Sequence, residues 1–204
     1  MSVTPPLGAI LKAARAKRGM SLRKVAAAIG VSAALISQIE LGHTQPSVST
    51  LYALVTFFDI SLDEVMGLSP AGTTVADAAA SAVRAASPHD PPLRHLSADD
   101  RPSLTMGNGV RWELVASAPG SSAEAVLVTY EPGASSSSDG SLMTHPGNED
   151  AYLLSGVLSL ELEESLVELR AEDSFSFDST RPHRFRNAGD VPATGIWLKL
   201  SGGV

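Results

Sequence analysis

Three side chains with metal-ligand chemistry stand in the C-terminal half: His145 and Glu149 in MTHPGNEDAYLLSG, and His183 in RPHRFRN. Two imidazoles and one carboxylate with open positions form a facial triad suited to non-haem Fe(II), and imidazole also serves other divalent transition metals. Met143, two residues before His145, brings a thioether that suits a hard divalent ion poorly. The same groups also suit a metal-free arrangement in which both histidines hydrogen-bond Glu149 inside a polar interior. The chain has no cysteine, so disulfide scaffolds, thiolate zinc sites and cysteine nucleophiles are excluded.

A second kind of chemistry sits at the other end. All six Lys/Arg of residues 1–68 (Lys12, Arg15, Lys17, Arg18, Arg23 and Lys24) precede position 25, against four acids, giving that segment a charge of +2. The remaining chain holds 9 basic and 18 acidic residues, a charge of −9, and the total is −7. The acidic average therefore hides a local basic face, while the acidic remainder discourages non-specific association with nucleic acid.

Periodicity supplies the elements that must position these groups. Leu7, Ile10, Leu11 and Ala14 recur at the spacing of one buried helical face, as do Leu22, Val25, Ala26 and Ile29, and then Leu51, Leu54, Val55 and Phe58. Ser21 and Ser32 stand where N-caps belong, Ser61 with Glu64 forms a capping-box pattern, and Gly30 and Gly42 fall where a left-handed residue closes a helix. Five helices are expected, near 6–18, 22–29, 33–41, 47–58 and 62–66. From 69 to 91 the sequence thins to Ala, Ser, Pro and Thr, the composition of a flexible linker. Beyond it RWELVAS, EAVLVTYEP, AYLLSGVLSLEL, SLVELR, SFSFD, HRFRN and TGIWLKLS read as short strands of an all-β domain over 92–204. SSSSDG (135–140) reads as a flexible connection. The expected class is multi-domain, α then β.

Helix 22–29, the turn GVS and helix 33–41 make a helix-turn-helix unit. Its second helix offers Ala33 and Ala34 at its start and Ser37 and Gln38 one turn on. Alanine can touch a thymine methyl and glutamine can bond adenine bidentately. Ser21, Arg23, Lys24, Ser37, His43 and Thr44 are placed for phosphate contacts, with Ser32 at the helix start. The run RGMSLRKVAAAIGVSAALISQIELGHTQPSVSTLYAL resembles the DNA-binding domain of XRE-type regulators, the lambda-repressor and Cro-like superfamily, over roughly residues 7–68. The resemblance implies a five-helix domain whose third helix reads bases, with Glu40 in a structural role.

The C-terminal motifs resemble the cupin superfamily, a double-stranded β-helix barrel. His145, Glu149 and Gly156 match the first motif, with Met143 at its first His position; His183 and Asn187 match the second, where Glu172, Asp178 and Thr180 replace the usual Gly, Pro and Gly. The fusion is similar to bacterial regulators whose barrel binds a small effector and dimerises. That implies a cytoplasmic homodimer presenting two recognition helices about 34 Å apart to a double-stranded operator, with Met143, His145, Glu149 and His183 forming an effector pocket or a divalent-metal site. Some phosphonate epoxidases resemble the same layout and would place iron on His145, Glu149 and His183, their N-terminal helices covering the active site instead of reading DNA. The strand Arg111-Trp112-Glu113-Leu114 lacks that family's tyrosine-rich character. A metal-sensing regulator is a third reading. No apolar run reaches the roughly 18 residues of a membrane span, so no membrane partner is expected.

Overall fold

The computed structural model of the protein describes residues 6–60, 62–66, 95, 97–117 and 123–200. The helical part holds α1 (Leu7–Lys17), α2 (Leu22–Ile29), α3 (Ala33–Glu40), α4 (Val48–Phe57) and the single turn α5 (Leu62–Val65). Periodic residues do the packing: Leu7, Leu11, Val25, Ala26, Leu51, Leu54, Val55 and Phe58 are buried in one core together with Ile36 and Ile39, and Ile10 is buried as well. Each large aliphatic side chain so buried contributes about 1.5–3 kcal/mol. Ser21, Ser32 and Ser47 accept the backbone N–H of Lys24, Leu35 and Thr50, capping α2, α3 and α4. Gly30, at φ 74°, ends α2 in the left-handed conformation that only glycine adopts at little cost. Gly8 lets α1 cross α3 closely, since a Cβ there would lie 2.4 Å from the Ile39 carbonyl oxygen.

Two of the six basic residues are absorbed by this packing. Arg15 donates to both carboxylate oxygens of Glu40, at 2.6 and 2.7 Å, and to the Met20 carbonyl at 2.9 Å. Arg18 donates to the Phe57 and Phe58 carbonyls at 2.8 and 2.9 Å, satisfying the open C-terminal end of α4. Glu40 thus holds α3 against α1, the structural role expected of it.

A 3₁₀ turn (Ala98–Asp100) leads into β1 (Ser103–Thr105), β2 (Val110–Ser117), β3 (Ala123–Tyr130), β4 (Asn148–Ser155) and β5 (Val157–Leu162). Then follow β6 (Ser165–Arg170), β7 (Ser174–Asp178), β8 (His183–Arg186) and β9 (Ala193–Leu200). The antiparallel strands form a six-stranded sheet, β1-β2-β3-β9-β4-β7, and a three-stranded sheet, β6-β5-β8. Alternation along the strands turns Trp112, Leu114, Val126, Val128 and Leu153 inward from the first sheet, against Leu158, Leu160, Leu169 and Phe185 from the second. The long segment AYLLSGVLSLEL divides at Gly156 into β4 and β5. Gly156 has φ +79°, and a Cβ on it would lie 2.5 Å from the Pro192 carbonyl oxygen. β1 was not expected, being only three residues long.

The expected linker 69–91 lies outside the described residues, as does Ser61 of the expected capping box. The serine run behaves differently from its expectation. Ser136 and Ser137 are buried. Ser136 donates its N–H to the Phe185 carbonyl at 3.0 Å, and its hydroxyl accepts the Phe185 N–H at 3.1 Å. Hydroxyls that hydrogen-bond backbone convert a polar loop into a fixed one. Among the described residues no single helix is long and apolar enough to cross a membrane.

The helical part is seated on the barrel. Ser49, in the first turn of α4, donates its N–H to the Ser136 carbonyl at 2.9 Å, and the Gly107 N–H donates to the Pro46 carbonyl at 2.9 Å. A Cβ on Gly107 would lie 2.4 Å from the Gln45 carbonyl oxygen, so the two backbones meet there with no room for a side chain.

Candidate functional site

The DNA-reader face is exposed in this seated arrangement. Ser21, Arg23, Lys24, Ser32, Ala34, Gln38 and His43 face solvent, while Ala33, Ser37 and Thr44 are half-buried. Ala33 packs against the helical core, which leaves Ala34 as the freer of the two alanines. Gln38 Oε1 accepts from His43 Nδ1 at 3.1 Å. A carbonyl oxygen has two lone pairs, so Gln38 retains capacity for a base while His43 fixes its rotamer. Among the described residues the barrel meets α4, the segment before it and the turn after it.

The barrel site is built by strand alternation. Glu149 occupies an inward position of β4, His183 opens β8, and His145 stands on the loop before β4; all three are buried. Met143 joins them through β-bridge bonds with His183, its N–H donating to the His183 carbonyl at 2.8 Å and its carbonyl accepting the His183 N–H at 2.9 Å. The ligand atoms of His145, Glu149 and His183 lie within 4.8 Å of one another. His145 Nε2 is 2.9 Å and His183 Nε2 3.3 Å from the same oxygen, Glu149 Oε1. The other oxygen, Oε2, accepts the Trp197 indole N–H at 2.9 Å.

The His183 tautomer follows from its surroundings. Its Nδ1 stands 2.8 Å from the Arg181 carbonyl, which only accepts, so Nδ1 carries the hydrogen. Its Nε2 faces Glu149 Oε1 and is a fully buried nitrogen with no hydrogen-bond partner. Burial by itself would push the Glu149 carboxyl up, but the adjoining His145 and His183 outweigh it and hold it down to about 2. An anionic oxygen and two ring nitrogens converging on one point, backed by an indole and a backbone carbonyl, is a donor set that fits a divalent transition metal.

Above the triad lies a cavity of about 380 Å³. Trp112, Tyr130, Phe185, Trp197 and Met143 line it from the barrel, and Val48, Tyr52, Val55, Thr56, Asp59 and Ile60 close it from α4 and the turn after it. The Tyr52 ring stacks on the His145 ring, 4.1 Å between centroids and 3° from parallel, and meets Trp112 edge-on at 5.8 Å. The described lining has the carboxylates Asp59 and Glu149 and no lysine or arginine. Trp112, Phe185 and Trp197 line the cavity, whereas Tyr152 is exposed. Arg184 and Arg186 point away from the His183 side, Arg184 to Glu161 and the Gly140 carbonyl. Sequence reasoning missed Tyr52, Asp59 and the orienting role of Trp197. The one available signal was an aromatic lying off the buried stripe of α4.

A helical DNA-reader module joined to a cupin barrel is the class of protein that this architecture defines. A helix-turn-helix family model matches residues 11–65 and a cupin-domain model matches residues 126–199. The chain thus carries a helix-turn-helix domain of the XRE type and, after it, a cupin domain. It is 26% identical over 182 residues to the HTH-type transcriptional regulator PuuR of Escherichia coli (strain K12), spanning 88% of this chain and 86% of that one. It is 41% identical over 54 residues to the HTH-type transcriptional regulator SutR of the same strain, 26% of this chain and 30% of that one. The crystal structure of an HTH_3 family transcriptional regulator from Vibrio cholerae shares the fold, with TM-score 0.59, 19% identity and coverage of 97% and 96% of the two chains.

Proposed function

We propose that the protein is a cytoplasmic, sequence-specific DNA-binding transcriptional regulator whose cupin barrel senses a small molecule. The observation that carries this reading is the open reader face: Ala34 and Gln38 of α3, flanked by Arg23, Lys24 and His43, stay exposed while the barrel is seated on α4. Gln38 and Ala34 would read base edges in the major groove, and Ser21, Arg23, Lys24, Ser32, Ser37, His43 and Thr44 would fix register on phosphates. Tyr152 and Leu154 expose apolar surface on the outer side of β4, which suits a homodimer joined through the barrels. Selection of bound duplexes from a random pool tests the reading. An enriched, near-palindromic sequence is expected, and a pool that stays random after repeated rounds would overturn it.

Within the same reading, His145, Glu149 and His183 would hold a divalent transition metal, Trp197 and the Arg181 carbonyl orienting the ligands. The metal would supply a Lewis-acidic anchor for a polar end of the effector, whose apolar body would lie among the cavity's aromatic rings. The regulator is preferred to an iron epoxidase because a doubly charged phosphonate seeks several cationic partners, and beyond the metal and His145 the described cavity lining holds no lysine or arginine.

A further inference from the structure

We infer that the DNA-reader domain is itself the lid of the sensor cavity, and that Tyr52, stacked on His145, is the positioning residue through which occupancy of the barrel reaches the recognition helix. The inference rests on the ligand-sensing reading above and adds the physical route.

Three observations carry it. First, one cavity has two owners: Val55, Thr56, Asp59 and Ile60 from the helical side face Trp112 and Trp197 from the barrel. An occupant touching both walls binds the seated arrangement more tightly than any unseated one, which is the differential affinity a conformational shift requires. Second, contact with the triad is immediate. Tyr52 lies flat on His145, and the Ser49 N–H bonds the Ser136 carbonyl, while Ser136 is itself bonded to Phe185, two residues beyond His183. Both histidine-bearing segments therefore have a short path to α4.

Third, α4 cannot move alone. Leu51, Leu54 and Val55 share a core with Val25 of α2 and Ile36 and Ile39 of α3, and Arg18 ties the α4 terminus to α1. Tilting α4 on the barrel swings Gln38 with it. The seam at Gly107 and Gln45 has no room for a Cβ and lies outside the cavity lining, so it can be disturbed without touching the triad. By reciprocity, DNA that holds the reader in one disposition must alter the affinity of the cavity for its occupant.

Hydrogen exchange on the full-length protein tests this with Co2+ as the probe. In the metal-free wild type the Ser49 and Gly107 amides are expected to be protected together. Gly107→Ala, which puts a methyl group against the Gln45 carbonyl, should release both by at least about tenfold while the α1–α3 amides hold. On adding Co2+, β4, β8 and α4 should all slow in the wild type. In Tyr52→Ala only β4 and β8 should slow, and Tyr52→Phe, which keeps the ring, should restore the response of α4. Wild-type α4 that ignores Co2+ while β4 and β8 respond would overturn the inference, as would unprotected Ser49 and Gly107 amides in the metal-free protein. A protein that develops no Co2+ absorption bands counts against the metal site alone. The metal-free comparison of wild type with Gly107→Ala then decides the inference.

Discussion

Trp197 donates its indole N–H to Glu149 Oε2 at 2.9 Å, and the opposite oxygen of that carboxylate is left to face both His145 and His183. A side chain on β9 thereby sets the angle of a carboxylate on β4, and with it the point where one oxygen and two ring nitrogens converge.

Trp197→Phe keeps a ring in the cavity wall but removes that N–H. The expected result is a loss of Co2+ affinity of about 10–100-fold, the usual scale for removing a group that orients a ligand, read by calorimetric titration. Unchanged affinity would mean that the indole only fills space.

DNA binding should divide between two kinds of residue. Gln38→Ala is expected to flatten sequence preference, while Arg23→Ala weakens binding to all duplexes and lowers the salt slope by about 1. His43→Ala should reproduce part of the Gln38→Ala effect, because it removes the bond that fixes the Gln38 rotamer. Binding assays across a series of salt concentrations on matched and scrambled duplexes would show the split. Equal loss of specificity from Arg23→Ala and Gln38→Ala would contradict it.

Arg15 is a basic residue near the reader, yet its guanidinium is committed to Glu40 and the Met20 carbonyl, and pairing with Glu40 raises its pKa. Arg15→Met leaves the Glu40 carboxylate without its partner. Chemical denaturation should show a loss of about 1–2 kcal/mol, between a surface pair and a buried one, with the salt slope of DNA binding unchanged in the folded protein. A lower slope would reassign Arg15 to the phosphate contacts.

Alkaline stability should report the tyrosines. Burial raises the Tyr130 phenol well above its ordinary value, and desolvation beside the charge of Glu149 does the same for Tyr52. Below pH about 10 both folded and unfolded chains hold these protons, and their contribution is complete. Above it the unfolded chain ionises while the fold does not, so stability falls by about 1.4 kcal/mol per pH unit for each such phenol. Denaturation midpoints between pH 9 and 11, compared with Tyr130→Phe, check this. A variant with the wild-type slope would remove Tyr130 from the account.

The helices were legible in the sequence because each has a local cause. Leu22, Val25 and Ala26 mark a buried stripe, Ser21 and Ser32 satisfy the first free N–H groups, and Gly30 supplies a left-handed turn. The observed helices fall within one residue of the expected bounds at each end. The triad was legible as well, since His145 and Glu149 stand at motif spacing and His183 opens a short strand.

What the chain alone could not express is which surfaces meet. Tyr52 on His145, Ser49 on Ser136 and Gly107 against Gln45 join segments far apart in sequence, and no periodicity records such a pairing. The serine run looked like a loose connection because hydroxyl-rich composition describes a loop equally well whether its partners are water or backbone. The sequence determined two folds and two sets of chemical groups, each from interactions within a few turns or one strand pair. Only the packing of α4 over the barrel mouth decided that the two sets share a wall, because that depends on the shape and polarity of both finished surfaces.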